Sequence, residues 1–475
     1  LACESLAQGH CKAAIAGGVN LSLHPNKYLL LAQGKFLSSK GRCESFGEGG
    51  DGYVPGEGAG ALLLKPLDQA EADGDHIYGV IKSTAINHGG KTNGYTVPNP
   101  QAQGGVISQA LRDAGIDPRT ISYLEAHGTG TALGDPIEIA GLAKAFGEHT
   151  QDRQFCAIGS VKSNIGHCEA AAGVAALTKV LLQMKHRQLV PSLHSEPQNP
   201  NIDFEPTPFV VQRELAAWTR PVIGAVEHPR RAGVSAFGAG GSNAHVVLEE
   251  YAGGAQRRQV AMRISQENPA LVVLSAKTPE RLEDYARLLM AAIEDNGWDD
   301  DVLPSLAYTL QVGREAMEER LAFIVSSTAH LREKLAAFLA GEDGIDDLYR
   351  GQVKRNKEAL AVFSADEELQ EALSKWIAKG KLHKLADLWV KGLAFDWGKL
   401  YTENPPQRMS LPTYPFARER YWVPLTANNA GNGGASPMLK RNGSRFGDAY
   451  YLGLVDRVVD GNLSVDAAVQ EMSDV

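Results

Sequence analysis

The chain has 475 residues and a formal charge of −9, with apolar, aromatic and charged fractions of an ordinary globular protein. That length allows roughly two or three domains and at least one large core. The charge and the lack of a basic stripe argue against nucleic acid as a partner. Five cysteines without paired spacing fit a reducing compartment. No apolar run reaches membrane-spanning length and no charged start precedes an apolar block, so no anchor, signal peptide or membrane partner is read and the cytoplasm is the expected location. The first residues, LACESL, already lie inside an apolar pattern, so the chain reads as truncated.

Taken in order, KAAIAGGVNL reads as a buried strand, and ALLLKPL and IYGVIKSTAIN as further strands. GGVISQALRDAGI has the spacing of an amphipathic helix. ISYLEAH, a helix from Pro136, FCAIGSV, a helix from about Ala170, RAGVSAFG and AHVVLEE follow. This alternation predicts an α/β domain over residues 1–250 with a largely parallel sheet. Residues 252–268 are small and polar and read as a linker. A smaller α/β region over 251–424 has LVVLSA and RLAFIVSS as strands, RLEDYARLLMAAIE and AHLREKLAAFLAG as helices, two tryptophan-bearing helical stretches and the tail LPTYPFARERYWVP. Residues 425–447 read as a flexible tether, and 448–475 as two short helices broken at Gly461.

Three stretches carry chemistry. In EAHGTGTALGDPIE, His127 ends a strand, where α/β folds gather ligands. Asp135, Pro136 and Glu138 fit a helix cap, first-turn proline and reciprocal capping carboxylate. His127 and the threonines have no such structural duty, although a satisfied loop histidine is an equal reading of His127 alone. In GSVKSNIGHCEAAAGVAALTKVLLQM, Lys162 and His167 sit in a loop before a helix apolar nearly all round. The helix's positive end would disfavour an imidazolium and favour negative charge on a substrate oxygen; a plain capping role explains His167 alone equally well. In GVSAFGAGGSNAHVVLEE, the turn at Phe237–Gly241 is flexible enough to turn backbone N–H groups toward an oxyanion, or is simply a glycine-rich hairpin. Together the set suits a reaction in which a thioester oxygen becomes negative. Metal and hydrolase readings fare worse: His167 and Cys168 are adjacent, without zinc-ligand spacing, and no Gly-x-Ser-x-Gly elbow occurs.

EAHGTGT, GSVKSNIGH and SAFGAGGSNAH, with AGGVN and GEGGDGYVPGEGAGALLLKPL in the same order, resemble the β-ketoacyl synthase (ketosynthase) domain of modular polyketide synthases. The resemblance covers residues 1–250 and implies the C-terminal part of a thiolase-like α/β fold, followed by a smaller α/β flanking subdomain and a short C-terminal helical segment. It implies decarboxylative Claisen condensation, in which an acyl-cysteine is extended by a malonyl thioester on an acyl carrier protein. His127 and His167 would assist decarboxylation and stabilise the enolate, and Lys162 would organise the pair. The Phe237 amide would serve the oxyanion hole. Thr129 and Thr131, and Asn243 in the GSNAH turn, would contact substrate and the carrier's phosphopantetheine arm. No metal and no directly bound cofactor are implied; a homodimer is.

In the family the nucleophile belongs to a Thr-Ala-Cys-Ser-Ser block at the start of a buried helix. LACESL resembles a later part of that helix, so Cys3 is read as packing and the nucleophile as lying before residue 1, which predicts a fragment inactive by itself. No Gly-His-Ser acyltransferase block follows residue 250, so the resemblance leans toward synthases whose acyltransferase acts in trans. A non-condensing scaffold that binds acylated carrier protein, a transacylating ketosynthase and a degradative thiolase are the alternatives. His127 speaks against the scaffold, and the SAFGAGGSNAH block lacks the thiolase's second cysteine.

Overall fold

The computed structural model describes residues 1–419 apart from 93, 95, 96, 254–263, 354–366, 395 and 402–404, and beyond 419 only 457, 462, 463 and 467. Most of the expected 252–268 linker, the whole 425–447 tether and nearly all of 448–475 lie outside the described residues. The rest divides into two compact units, residues 1–66 with 78–251 and residues 67–77 with 252–420. The helix Leu67–Ala72 thus groups with the flanking region rather than with the sequence around it.

The first unit opens with the short helix α1 (Ala2–Ala7) and strand β1 (Ala14–Asn20), and continues through α2 (Asn26–Gln33) to β2 (Gly58–Leu64). β1 and β2 form their own antiparallel pair, Ala14 opposite Leu64. Counting Leu67–Ala72 as α3, the unit continues with β3 (Val80–His88), α4 (Pro100–Ala114), β4 (Ile121–Glu125), α5 (Gly134–Gly147) and β5 (Cys156–Gly159). After α6 (Lys162–Ile165) and α7 (Ala172–His186) come the short β6 (Phe209–Val211) and the hairpin β7 (Arg231–Phe237) and β8 (Ser242–Glu249).

Six of these strands make one sheet in the order β3-β8-β7-β4-β5-β6. The expected largely parallel sheet is therefore mixed. β7, β4, β5 and β6 run parallel, and β8 alone is reversed because the glycine turn after Phe237 sends it straight back along β7; β3 pairs antiparallel with β8 and so points the same way as the other four. Strand alternation sends Leu124 and Val247 to the core under α4 and α5, and Tyr123 and Leu248 to the core with α7 and Trp218. Asn99 caps α4, its side chain accepting from the N–H groups of Gln101 and Ala102, and Pro100 fills the first helical position. The α7 helix is not apolar all round, since it buries Lys179 and Gln183 and leaves Leu182 exposed.

In the second unit β9 (Ala270–Ala276), β10 (Glu319–Val325) and β11 (Leu348–Gln352) form an antiparallel sheet. Helices α8 (Pro279–Asp295), α9 (Leu303–Val312), α10 (Thr328–Ala340), α11 (Glu367–Ala378) and α12 (Leu382–Val390) accompany it. Thr278 and Ser327 cap α8 and α10. Of the LPTYPFARERYWVP tail, residues 411–419 are described. Leu411 enters this unit's core, and the Tyr414 hydroxyl accepts the Lys277 N–H at 3.2 Å. Among the described residues no helix is long and apolar enough to cross a membrane.

Candidate active site

The site grows from the C-terminal edge of the parallel strands. β4 ends at Glu125, and His127 follows in a loop whose backbone N–H groups are buried and need acceptors. Two carboxylates on the first turns of α5 supply them. Glu138 accepts from the N–H of His127 at 2.7 Å and of Gly128 at 2.8 Å. Asp135 accepts from Gly130 at 3.2 Å and from Phe46 at 2.8 Å. The expectation that these carboxylates cap their own helix is corrected. The residue before α5 is Leu133, with no side-chain cap bond, and both acids face away toward the loop. Burial raises Asp135 to about 6 and Glu138 to about 7. Thr131 tends the helix start instead, its Oγ1 accepting the Gly134 N–H at 3.1 Å. Thr129 Oγ1 lies 3.4 Å from that oxygen, and both threonines are half-buried.

Lys162 opens the short helix α6 rather than sitting in a loop. Its side chain is buried, and Nζ donates to the His127 carbonyl. Gly166 then turns the chain at φ 77°, where an added Cβ would stand 2.7 Å from the Val54 carbonyl. The turn lets the His167 N–H donate to Val54 O at 2.7 Å, while His167 O accepts from Gly56 N–H at 2.9 Å. α7 begins only at Ala172, behind a short 3₁₀ turn, so the expected placement of His167 at that helix end is not what keeps its ring neutral. Burial, then the positive charges of Lys162 and Lys27, push His167 down to about 3. Burial, Lys162 and His167 hold His127 well below the ordinary histidine value.

The two rings meet edge to face, centroids 5.5 Å apart. The Phe237 N–H donates to His127 Nδ1 at 3.3 Å, and the Glu169 N–H donates to His167 Nδ1 at 2.9 Å. A backbone N–H can only donate, so both Nδ1 atoms accept and both neutral rings carry their proton on Nε2. The pair thus offers two N–H donors. The Phe237 amide, expected to serve an oxyanion, is engaged with the His127 ring in this structure, and the Phe237 ring packs 5.9 Å from it. Asn243 does not join the cluster. It is buried on β8, its Nδ2 donating to Asn87 Oδ1 at 2.9 Å across the sheet.

Sequence reasoning missed the support beneath Lys162. Glu125 is fully buried, with Oε1 accepting the Val161 N–H at 2.5 Å and Oε2 accepting the Tyr123 hydroxyl at 2.7 Å. Lys179 Nζ lies 2.8 Å from Oε2, an electrostatic contact without a well-directed hydrogen bond. The available signal was an acid in an apolar strand and a lysine in an apolar helix, which must be paired if buried. Burial raises the thiol pKa values of Cys3, Cys43, Cys156 and Cys168, the opposite of what activates a nucleophile. Cys168 packs toward the Glu57 carbonyl, just before β2.

Comparison with known proteins agrees with this architecture. Residues 1–70 match the family model of the β-ketoacyl synthase N-terminal domain and residues 78–196 that of its C-terminal domain. Residues 273–342 match a RhiE-like KS-MAT linker domain. The chain is 61% identical over 431 residues to polyketide synthase PksL of Bacillus subtilis, covering 90% of this chain and 9% of that protein. It is 53% identical over 463 residues to polyketide synthase ThaG of Burkholderia thailandensis, covering 94% of this chain and 8% of that protein. The chain thus spans about a tenth of the length of these relatives. Among solved structures, the ketosynthase from module 6 of the Bacillus subtilis bacillaene synthase superposes with TM-score 0.80 at 46% identity, over 89% of this chain and 72% of that one. An oxazolomycin ketosynthase domain from Streptomyces albus gives 0.76 at 47% identity, over 89% and 68%.

Proposed function

This chain belongs to the β-ketoacyl synthase family of polyketide synthases, and we propose that its histidine pair drives the decarboxylative condensation that extends a polyketide chain. One observation carries the reading: the His127 and His167 rings stand 5.5 Å apart between centroids, and each Nδ1 accepts a backbone N–H, which leaves Nε2 to carry the proton of a neutral ring. Two such donors fit an oxygen that is a carbonyl in the bound thioester and an enolate after decarboxylation.

The bond between the α-carbon and the carboxylate of a malonyl thioester breaks, carbon dioxide leaves, and the electron pair becomes an enolate. The two Nε2–H groups donate to the enolate oxygen. The α-carbon then attacks an acyl thioester, whose sulfur departs as thiolate, leaving a β-keto thioester. Burial keeps both rings neutral, with the Lys162 charge adding to it, and Lys162 fixes His127 through its carbonyl. The malonyl unit arrives on the phosphopantetheine arm of an acyl carrier protein, and the half-buried Thr129 and Thr131 are the residues we assign to contact with that arm. We take the acyl-bearing thiol to be that of the family's Thr-Ala-Cys-Ser-Ser block, which none of the five cysteines matches. Pairing of two ketosynthases and an acyltransferase acting in trans belong to the same proposal. The latter is supported by the lack of a Gly-His-Ser block in residues 251–424.

The test is carbon dioxide release from malonyl carrier protein by the parent synthase. Alanine at position 127 or 167 is expected to lower it by roughly a hundredfold. Release unchanged in both variants would refute the assignment.

A further inference from the structure

The turn between His167 and α7 holds a feature that the condensation chemistry does not use. Glu169 adopts φ +40°, a left-handed backbone that a glutamate rarely takes unless its surroundings hold it there. Its N–H donates to His167 Nδ1 at 2.9 Å. Its side chain is anchored, for Oε2 lies 3.0 Å from Lys27 Nζ, with both side chains about three-quarters buried (23 and 28% exposed). Lys27, in the first turn of α2, also donates to Asn20 Oδ1 at 3.1 Å at the end of β1. Asn20 Nδ2 donates to Gly56 O at 2.7 Å, and Gly56 N–H donates to His167 O. The circuit from Lys27 therefore closes on His167 from both sides, at its ring nitrogen and at its own carbonyl. β1 runs directly against the turn, since a Cβ added at Gly18 would stand 2.3 Å from Ala170 O.

We propose that Lys27 is a positioning residue for His167: through Glu169 and Asn20 it holds the backbone so that Nδ1 must accept and the ring proton stays on Nε2. The proposal rests on His167 acting as the donor described above. A pair that only stabilised the fold would have no reason to engage the one residue whose strained N–H sets the tautomer. Lys27 also adds to the positive field that keeps His167 neutral, but the hydrogen-bond circuit stands without that effect.

The experiment uses the 475-residue chain with ¹⁵N-labelled histidine, the His167 signals assigned by their loss in His167→Gln and the tautomer read from the ring nitrogen shifts at neutral pH. The unsubstituted chain should show Nδ1 unprotonated. Lys27→Met should raise the Nδ1–H form roughly tenfold, and Lys27→Arg should leave it unchanged. In a background carrying both Glu169→Gly, where glycine takes φ +40° freely, and Asn20→Ala, which removes the second arm of the circuit, adding Lys27→Met should no longer move the tautomer. An equal shift in both backgrounds shows that Lys27 acts by charge alone and overturns the clamp; so does no shift in the Glu169 chain. Should Lys27→Met not fold, Glu169→Gln replaces it, with the same shift expected at smaller amplitude and an unmoved tautomer overturning the idea. Carbon dioxide release by parent synthases bearing the same substitutions separates the two proposals. A shifted tautomer with unaltered release upholds the clamp and refutes the role given to His167 in the reaction.

Discussion

Glu138, on α5, accepts the backbone N–H of His127 at 2.7 Å, so the loop that carries the first histidine hangs from a carboxylate eleven positions further on. The same carboxylate takes the Gly128 N–H with its other oxygen. Glu138→Gln keeps one acceptor and turns an NH₂ group toward the second N–H, leaving a buried donor without a partner. The expected loss is about 1–3 kcal/mol, read as a lower urea midpoint, together with slower carbon dioxide release by the parent synthase. A midpoint equal to that of the unsubstituted chain would show that the two hydrogen bonds do not hold the loop.

Gly166→Ala should separate the histidines. At φ 77° with its Cβ 2.7 Å from Val54 O, alanine meets both backbone strain and a fixed carbonyl. The strain alone costs about 1–3 kcal/mol. The thermal midpoint should fall, and the magnetisation transfer expected between the His127 and His167 rings should weaken. Retention of both signals would mean that the turn re-forms around the methyl group.

The Glu125–Lys179 pair gives a third prediction. Lys179→Met leaves a fully buried carboxylate without its counter-charge and should cost about 3–5 kcal/mol. Glu125→Gln combined with Lys179→Met removes the charge as well as its partner and should recover part of that loss, while keeping an acceptor for Val161 N–H. If the double variant is no more stable than the single one, the uncompensated charge is not the cause.

The pH dependence of stability should show opposing slopes. His167 and the fully buried His245 are pushed down to about 3 and about 4. Their unfolded counterparts bind protons below about 6.5, so the unfolded chain takes up more protons in that window. Their contribution is present above pH ~6.5 and is lost as pH falls through the folded values. Asp135 and Glu138, raised by burial, act with the opposite sign. Their contribution is present below pH ~4 and is lost as pH rises through about 6 and about 7. His245→Leu should therefore flatten the acid side of the stability curve, by an amount on the order of 3 kcal/mol between pH 6.5 and 4. Equilibrium urea titrations across that range measure it, and an acid limb of undiminished slope would exclude His245 as a source.

The strands and long helices were readable because each carries its period in neighbouring residues. Tyr123 and Leu124 alternate between two cores, and α4 shows its cap and first-turn proline at Asn99 and Pro100. His127, Lys162 and His167 were readable as candidates because all three follow strands of one α/β domain, and the set together is harder to explain by turns and caps than any one of them alone. The partners of these residues were not readable. Asp135 and Glu138 look like helix caps in any local window, and only the buried loop folded against them reveals that they hold the His127 backbone. Nothing near Asn243 in the sequence announces its partner Asn87, opposite it on β3.

The order of residues along the chain was thus enough to single out His127, Lys162 and His167 as candidates and to show which segments pair their periods into an α/β core. Whether the two imidazoles are neutral and what holds each backbone in place depend on groups far apart in sequence, Phe237 for His127 and Lys27 and Gly56 for His167, although the N–H that His167 Nδ1 accepts comes from Glu169, two residues on. The physical reason is range. Secondary structure and capping are set by neighbours a few positions away, whereas desolvation, buried charge and a donated N–H act through space and exist only once the sheet has brought those strangers together.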